Sequence, residues 1–185
     1  MSERDLPPDP GDVASWHSYI GPPYPADVTE ALLSMADRAV ELHPGAAVLW
    51  VARGDLIQLQ SEPAARWPLA EVERSYARAI EAEPENAIGY EELGIWLDIA
   101  SGPENLVGAS ADQSPNDRRD EAARLLDEAL LLGAGPHAFS ARARIFAETG
   151  EAERGLALLR DCPFADHEAV ITMIEEIARG DWNPE

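Results

Sequence analysis

The amino-acid sequence predicts an all-α fold, an α-solenoid of antiparallel helix pairs with about three repeats and a capping C-terminal helix. Three observations lead there. Hydrophobic residues make up 45% of the chain but aromatics only 6%, and abundant alanine favours close-packed helices over sheets. Small and apolar residues recur at three- and four-residue spacing in stretches that end at prolines. One such stretch occurs twice in the same register.

The duplication is the most informative feature. Arg38-Ala39-Val40-Glu41 returns as Arg78-Ala79-Ile80-Glu81. In the same register Pro44 meets Pro84, Ala47 meets Ala87, Trp50 meets Tyr90 and Gly54 meets Gly94. Leu56, Ile57 and Leu59 then meet Trp96, Leu97 and Ile99. An offset that never changes is the mark of an internal repeat, and its period lies in the range of helical solenoids.

Each element follows from local chemistry. Leu32, Ala36, Ala39 and Val40 line one face of a helix expected over 27–43, for which Asp27 and Glu30 form a plausible capping box. Pro44 ends it, and Pro84 ends its counterpart over 69–83, because proline lacks the N–H and clashes with the preceding turn. Second helices follow at 46–60 and 87–100, the latter with Asn86 as N-cap. Glycine inside a helix costs about 1 kcal/mol, so Gly54 and Gly94 are expected where two helices touch. A weaker unit follows at 117–132, 136–148 and 151–161, with Pro136 in the first turn of its middle helix. The stretch 166–179, with Val170, Ile171, Ile174 and Ile177, reads as a terminal helix covering the last repeat.

Two segments read as irregular. Residues 1–25, with Pro7-Pro8, Pro10 and Pro22-Pro23-Tyr24-Pro25, are expected to form an extended arm or a strap over the first helices. The repeat domain then runs over 26–182. It is interrupted by a longer turn at 61–68 and a long Gly/Ser/Pro/Asn/Asp-rich loop at 101–116.

The residues of the duplicated unit resemble the tetratricopeptide repeat. Tyr90, Leu93-Gly94 and Leu97 match the pattern of that repeat's first helix, and Tyr76, Ala79 and Pro84 match the second helix of the unit before it. Trp50, Gly54 and Ile57 repeat the first-helix pattern, with Arg53 where leucine is usual. The resemblance covers about residues 27–163 and is strongest over 38–98. It implies a right-handed solenoid whose first helices line a concave protein-binding groove. Carried over by register, that groove would show Val51, Asp55 and Gln58, then Ile88, Glu91, Ile95 and Asp98, then Ser140, Arg144 and Glu148. Relatives that grip the acidic tails of heat-shock chaperones use lysine, asparagine and arginine on these faces. Here only Arg144 has that sign, so a chaperone-tail clamp is not expected.

Charge narrows the function further. The net charge is -21, and all 14 basic residues are arginines. Such a surface repels nucleic acid and anionic lipid. No apolar run approaches the roughly 20 residues that span a bilayer, and no signal peptide is expected, which suggests a cytoplasmic protein. Cys162 is the one cysteine, so no intramolecular disulfide is possible, and it suits a small buried position better than a catalytic one. His17, His43, His137 and His167 are scattered without ligand spacing, and the 112–117 loop lacks the pattern of a calcium-binding loop. No catalytic, metal or cofactor site is expected.

The leading expectation is therefore an interaction module, whether adaptor, scaffold or dedicated chaperone, taking a basic or amphipathic segment in an acidic groove. An immunity-type neutraliser of a basic toxin or nuclease is the alternative. An enzyme built on Glu91, Glu92 and Asp98 ranks last.

Overall fold

The structure, a computed structural model, describes residues 11–25, 27–60, 68–101 and 114–180. These residues form helices and no strand. In chain order they are α1 (Val13–Ile20), α2 (Glu30–Leu42), α3 (Ala47–Leu59), α4 (Ala70–Ala82), α5 (Ala87–Ala100), α6 (Pro115–Leu131), α7 (Pro136–Glu148), α8 (Ala152–Asp161) and α9 (Glu168–Arg179). Each helix expected from the sequence is present. Most of the turn expected at 61–68 and of the loop at 101–116 lies outside the described residues.

Two compact units divide the chain, with the change at Gly89/Tyr90 inside α5. In the first, α3 packs antiparallel on α4 and also contacts α2 and α1. Leu49, Leu56, Ile57, Val72, Tyr76 and Ala79 form a core with no measurable exposure. Gly54 meets the Tyr76 ring, so α3 and α4 approach as closely as glycine permits. N-terminal capping of α3 is supplied from a distance. Its own N-cap residue, Ala46, offers no side-chain acceptor. The Ala47 N–H donates instead to Glu83 Oε1 at the end of α4, 3.0 Å away.

Arg53, which stands where the second copy of the duplicated stretch has Leu93, is only 8% exposed. Its Nε donates to Asp37 Oδ1 at 2.8 Å and its Nη1 to Ser75 Oγ at 2.6 Å, while Glu71 lies 3.5 Å away. One buried guanidinium thus joins α2, α3 and α4 by charge-assisted hydrogen bonds.

Two sequence expectations are corrected in this unit. The 1–25 arm is not extended throughout, since 13–20 form α1. Asp12 caps it, accepting from the Ala14 N–H and the Ser15 hydroxyl, both at 2.9 Å. Trp16 and Ile20 are buried, at 2% and 1% exposure. Between the flanking prolines Pro10 and Pro22 lies a proline-free stretch with an acidic cap and apolar residues on one face, enough to start a helix. The second correction concerns α2, which is capped by Thr29, whose hydroxyl accepts from the Leu32 N–H, and not by Asp27.

In the second unit, α7 packs on α6, α8 and α9. Gly94 of α5 fits against Leu126 and the Ala122 carbonyl of α6, repeating the role of Gly54. α6 begins with a full capping box between Ser114 and Asp117 and with Pro115 in its first turn. Cys162 sits in the core with Leu156, Leu159, Val170 and Ile177. α9 covers this core as expected, with Val170 and Ile177 buried and Ile174 packed on the cluster, while Ile171 stays 44% exposed. Gly180 ends α9 in the left-handed conformation, with φ 74°.

Candidate functional site

The residues assigned to a groove fall in both units, and each unit uses them internally. On α3, Val51, Asp55 and Gln58 lie at i, i+4 and i+7 and share a face. Val51 is buried at 6% exposure. Asp55 accepts from Tyr24 of the N-terminal arm through Oδ2, at 2.5 Å, and from Tyr76 of α4 through Oδ1, at 2.6 Å. Gln58 Nε2 donates in turn to the Tyr76 hydroxyl. Burial raises the Asp55 pKa above its ordinary 3.8 and outweighs the two hydroxyl donors, which pull it down. Val51 is therefore core rather than groove surface. Asp55 anchors the arm and is not an open acceptor for a partner's cation. Gln58 is an exposed residue despite that bond. Ile88 is half-buried in the first turn of α5, where its N–H donates to Asn86 Oδ1 at 3.1 Å.

Within the second unit, the stripes predicted on α5 and α7 meet. Arg144 donates to Asp98 Oδ2 through Nε at 2.9 Å and through Nη2. The Asp98 side chain is 1% exposed and that of Arg144 25%. Asp98 Oδ1 and Trp96 Nε1 are buried without a hydrogen-bond partner among the described residues. Burial raises the Asp98 pKa, opposed by Arg144 and then Arg119. Glu148 is raised too, by burial and then by the charge of Asp98, with Arg119 and Arg144 opposing. Arg119 Nε of α6 lies 3.3 Å from Glu148 Oε2, close enough for an ion pair but not aligned as a hydrogen bond. Asp98, Arg144, Glu148 and Arg119 thus form one cluster of two acids and two guanidiniums.

Glu91, one turn from Ile95, accepts from the Gly135 N–H at a long 3.4 Å. Its carboxylate lies at the N-terminus of α7, where the helix dipole favours negative charge. Ile95 is half-buried. Ser140 is 8% exposed, and its hydroxyl donates toward the Pro136 and Ala169 carbonyls, both at 3.1 Å. Asp98 and Ser140 are thus corrected from groove surface to internal contacts. Glu91, Ile95, Arg144 and Glu148 keep partial exposure.

Tyr24, Tyr76 and Arg119 lie outside the set that helical register assigns to a groove, yet each holds a member of it. Only the tyrosine pair left a trace in the sequence, as the strap reading of Pro22-Pro23-Tyr24-Pro25 and the aromatic of the repeat pattern. Cys162 is buried in the core, and His167 serves as the cap of α9, its Nδ1 accepting from the Ala169 N–H at 3.2 Å. Among the described residues no group of three or more His, Cys, Asp or Glu is placed to hold a metal ion. No described helix is long and apolar enough to cross a membrane. Compared with known proteins, the chain matches no family model and no curated protein.

Proposed function

We propose that the chain is a protein-interaction module built from helix pairs of the tetratricopeptide type, the unit of right-handed solenoids, and that it binds a basic or amphipathic segment of another protein. The observation that carries this is the charge imbalance. With 35 carboxylates and 14 arginines, one-to-one pairing leaves 21 carboxylates with no guanidinium of their own. Such a field steers a basic partner toward the protein and rejects an acidic one. The α5/α7 face of the second unit is the landing place this reading favours. Glu91 and Glu148 keep partial exposure there, and Ile95, one turn from Glu91, is half-buried.

The test is titration with a defined amphipathic peptide of alternating Lys and Leu character, followed by capture of basic proteins from native extract at low and high salt. Binding that weakens with salt and with Glu91→Gln/Glu148→Gln, but not with Glu41→Gln/Glu85→Gln, supports the reading. Binding that ignores salt or is equally sensitive to both pairs overturns it. A captured nuclease whose activity is blocked in a one-to-one complex would make the module a neutraliser rather than an adaptor.

A further inference from the structure

The first unit contains a cavity of about 400 Å³ that has no part in the reading above. This volume falls within the range of small-ligand pockets. Its base is the Arg53 network with Asp37, Ser75 and Glu71. Val40 and Trp50 supply the apolar wall. Trp50 Nε1–H already donates to the Pro44 carbonyl at 2.9 Å, so the indole offers a ligand hydrocarbon surface and no free donor. Arg74 and Arg78 stand at the rim, four residues apart on one face of α4.

Three of the four described arginines of this unit line that one cavity, with Arg38 the exception. Three carboxylates, Asp37, Glu41 and Glu71, balance the three guanidiniums.

The sign of the ligand follows from which pairs can be exchanged. Arg53 is buried between Asp37 and Glu71 and already occupies the position a ligand cation would take. At the rim, Arg74 pairs with Glu71 and Arg78 with Glu81, and both arginines are mostly exposed, at 73% and 62% of the side chain. Exposed pairs of this kind are worth about 1 kcal/mol or less, so a ligand carboxylate can replace them, and it gains the paired N–H donors that guanidinium presents. Glu71 keeps Arg53 within 3.5 Å when Arg74 turns to a ligand.

We propose that this cavity binds a small carboxylate with an apolar body, either a free organic acid or the C-terminal residue of a peptide. The carboxylate takes Arg74 and Arg78, and the body lies on Trp50 and Val40. The proposal is independent of the basic-partner reading, and its test uses a different unit and a ligand of opposite charge.

The experiment is an NMR titration of the full chain with N-acetyl-phenylalanine, its carboxamide, and the tripeptide Ala-Ala-Phe with a free C-terminus. The two acids should shift the Trp50 indole N–H and the Arg74 and Arg78 Nε–H resonances saturably, while the carboxamide leaves them in place. Arg74→Gln/Arg78→Gln should weaken the acids at least about tenfold. Its amide spectrum away from α4 should be unchanged, because both positions are on the surface. Tighter binding of the tripeptide indicates a chain terminus, and equal binding a free acid. Equal shifts from acid and carboxamide, no shift up to about 10 mM, or no effect of the double substitution overturns the proposal.

Discussion

The ring of Tyr76 occupies the space that a side chain on Gly54 would need. A Cβ placed there would lie 2.9 Å from Cδ1 and Cζ and closer still to Cε1. Tyr76 has no measurable exposure and its hydroxyl is bonded to Asp55, so the ring cannot swing aside without losing that bond. Gly54→Ala would gain about 1 kcal/mol of helix propensity in an open helix. Here overpacking should outweigh it, for a net loss of about 1–3 kcal/mol. Gly45→Ala is the control, since nothing lies within 4 Å of its Cβ. Urea unfolding of the two variants checks this. A Gly54→Ala protein as stable as wild type would show that α3 and α4 are not packed this closely.

The Tyr24–Asp55–Tyr76 contact makes a prediction about pH. Because the Asp55 pKa is raised in the folded state, the native protein holds this proton more tightly than the unfolded chain. Stability therefore falls as pH rises above 3.8 through the raised value. Asp98 and Glu148 shift the same way, and relief of charge repulsion on acidification adds to the trend. Asp55→Asn isolates one contribution. Relative to wild type, its melting temperature should improve as pH is taken from about 4 to 7. A relative melting temperature that declines over that range would mean the two tyrosine hydroxyls stabilise the carboxylate more than burial penalises it.

Tyr24 itself ties the arm to α3. Tyr24→Phe removes one donor to a part-buried carboxylate, which should cost about 1–2 kcal/mol. Hydrogen exchange should rise in α1 and the first turns after it, not in α4. Unchanged exchange in α1 would show that Trp16 and Ile20 hold the helix without the hydroxyl.

The helices were legible because proline, glycine and apolar spacing act locally, within one turn of the chain. Pro44, Pro84 and the Gly54/Gly94 pair each left a mark that needed no tertiary knowledge. Site chemistry was not legible in the same way. Asp55, Glu91 and Asp98 looked like open acceptors because their donors, Tyr24, the Gly135 N–H and Arg144, lie 31, 44 and 46 residues away in sequence. Helical register places a side chain on a face but does not say what faces it. α1 was hidden for another reason, since the surrounding prolines outweighed the weaker signal of Asp12, Trp16 and Ile20.

The Asp98–Arg144 pair separates the value of a charge pair from the cost of breaking it. Arg144→Met leaves Asp98, at 1% side-chain exposure, buried with only the more distant Arg119 to balance it. That should cost about 3 kcal/mol. Asp98→Asn in the same chain removes the uncompensated charge and should recover most of the loss. Thermal unfolding of both single variants and the double variant measures the coupling. Additive losses would mean that Arg119 and Glu148 absorb the change, and that the four groups do not act as a unit.

Arg53 poses the sharpest question about why the repeat departs from its own pattern. Leucine at this position would be the ordinary apolar choice, and Leu93 stands at the equivalent place in the second copy. Arg53→Leu nevertheless should destabilise the protein, because Asp37 and Glu71 keep their charge in a partly buried cavity, at 25% and 19% side-chain exposure, and Ser75 loses its donor. The expected loss is about 2–4 kcal/mol. Adding Asp37→Asn and Glu71→Gln removes the stranded Asp37 charge and the Glu71 charge left with the exposed Arg74, and the triple variant should then approach wild-type stability. If it does, fold stability alone does not require the arginine network, since an apolar residue with neutral neighbours serves as well. Because Arg74 and Arg78 are the groups that take the ligand carboxylate, the triple variant should then still bind N-acetyl-phenylalanine while remaining folded. If the triple variant is still much less stable than wild type, the guanidinium is a structural tie between α2, α3 and α4 that leucine cannot replace.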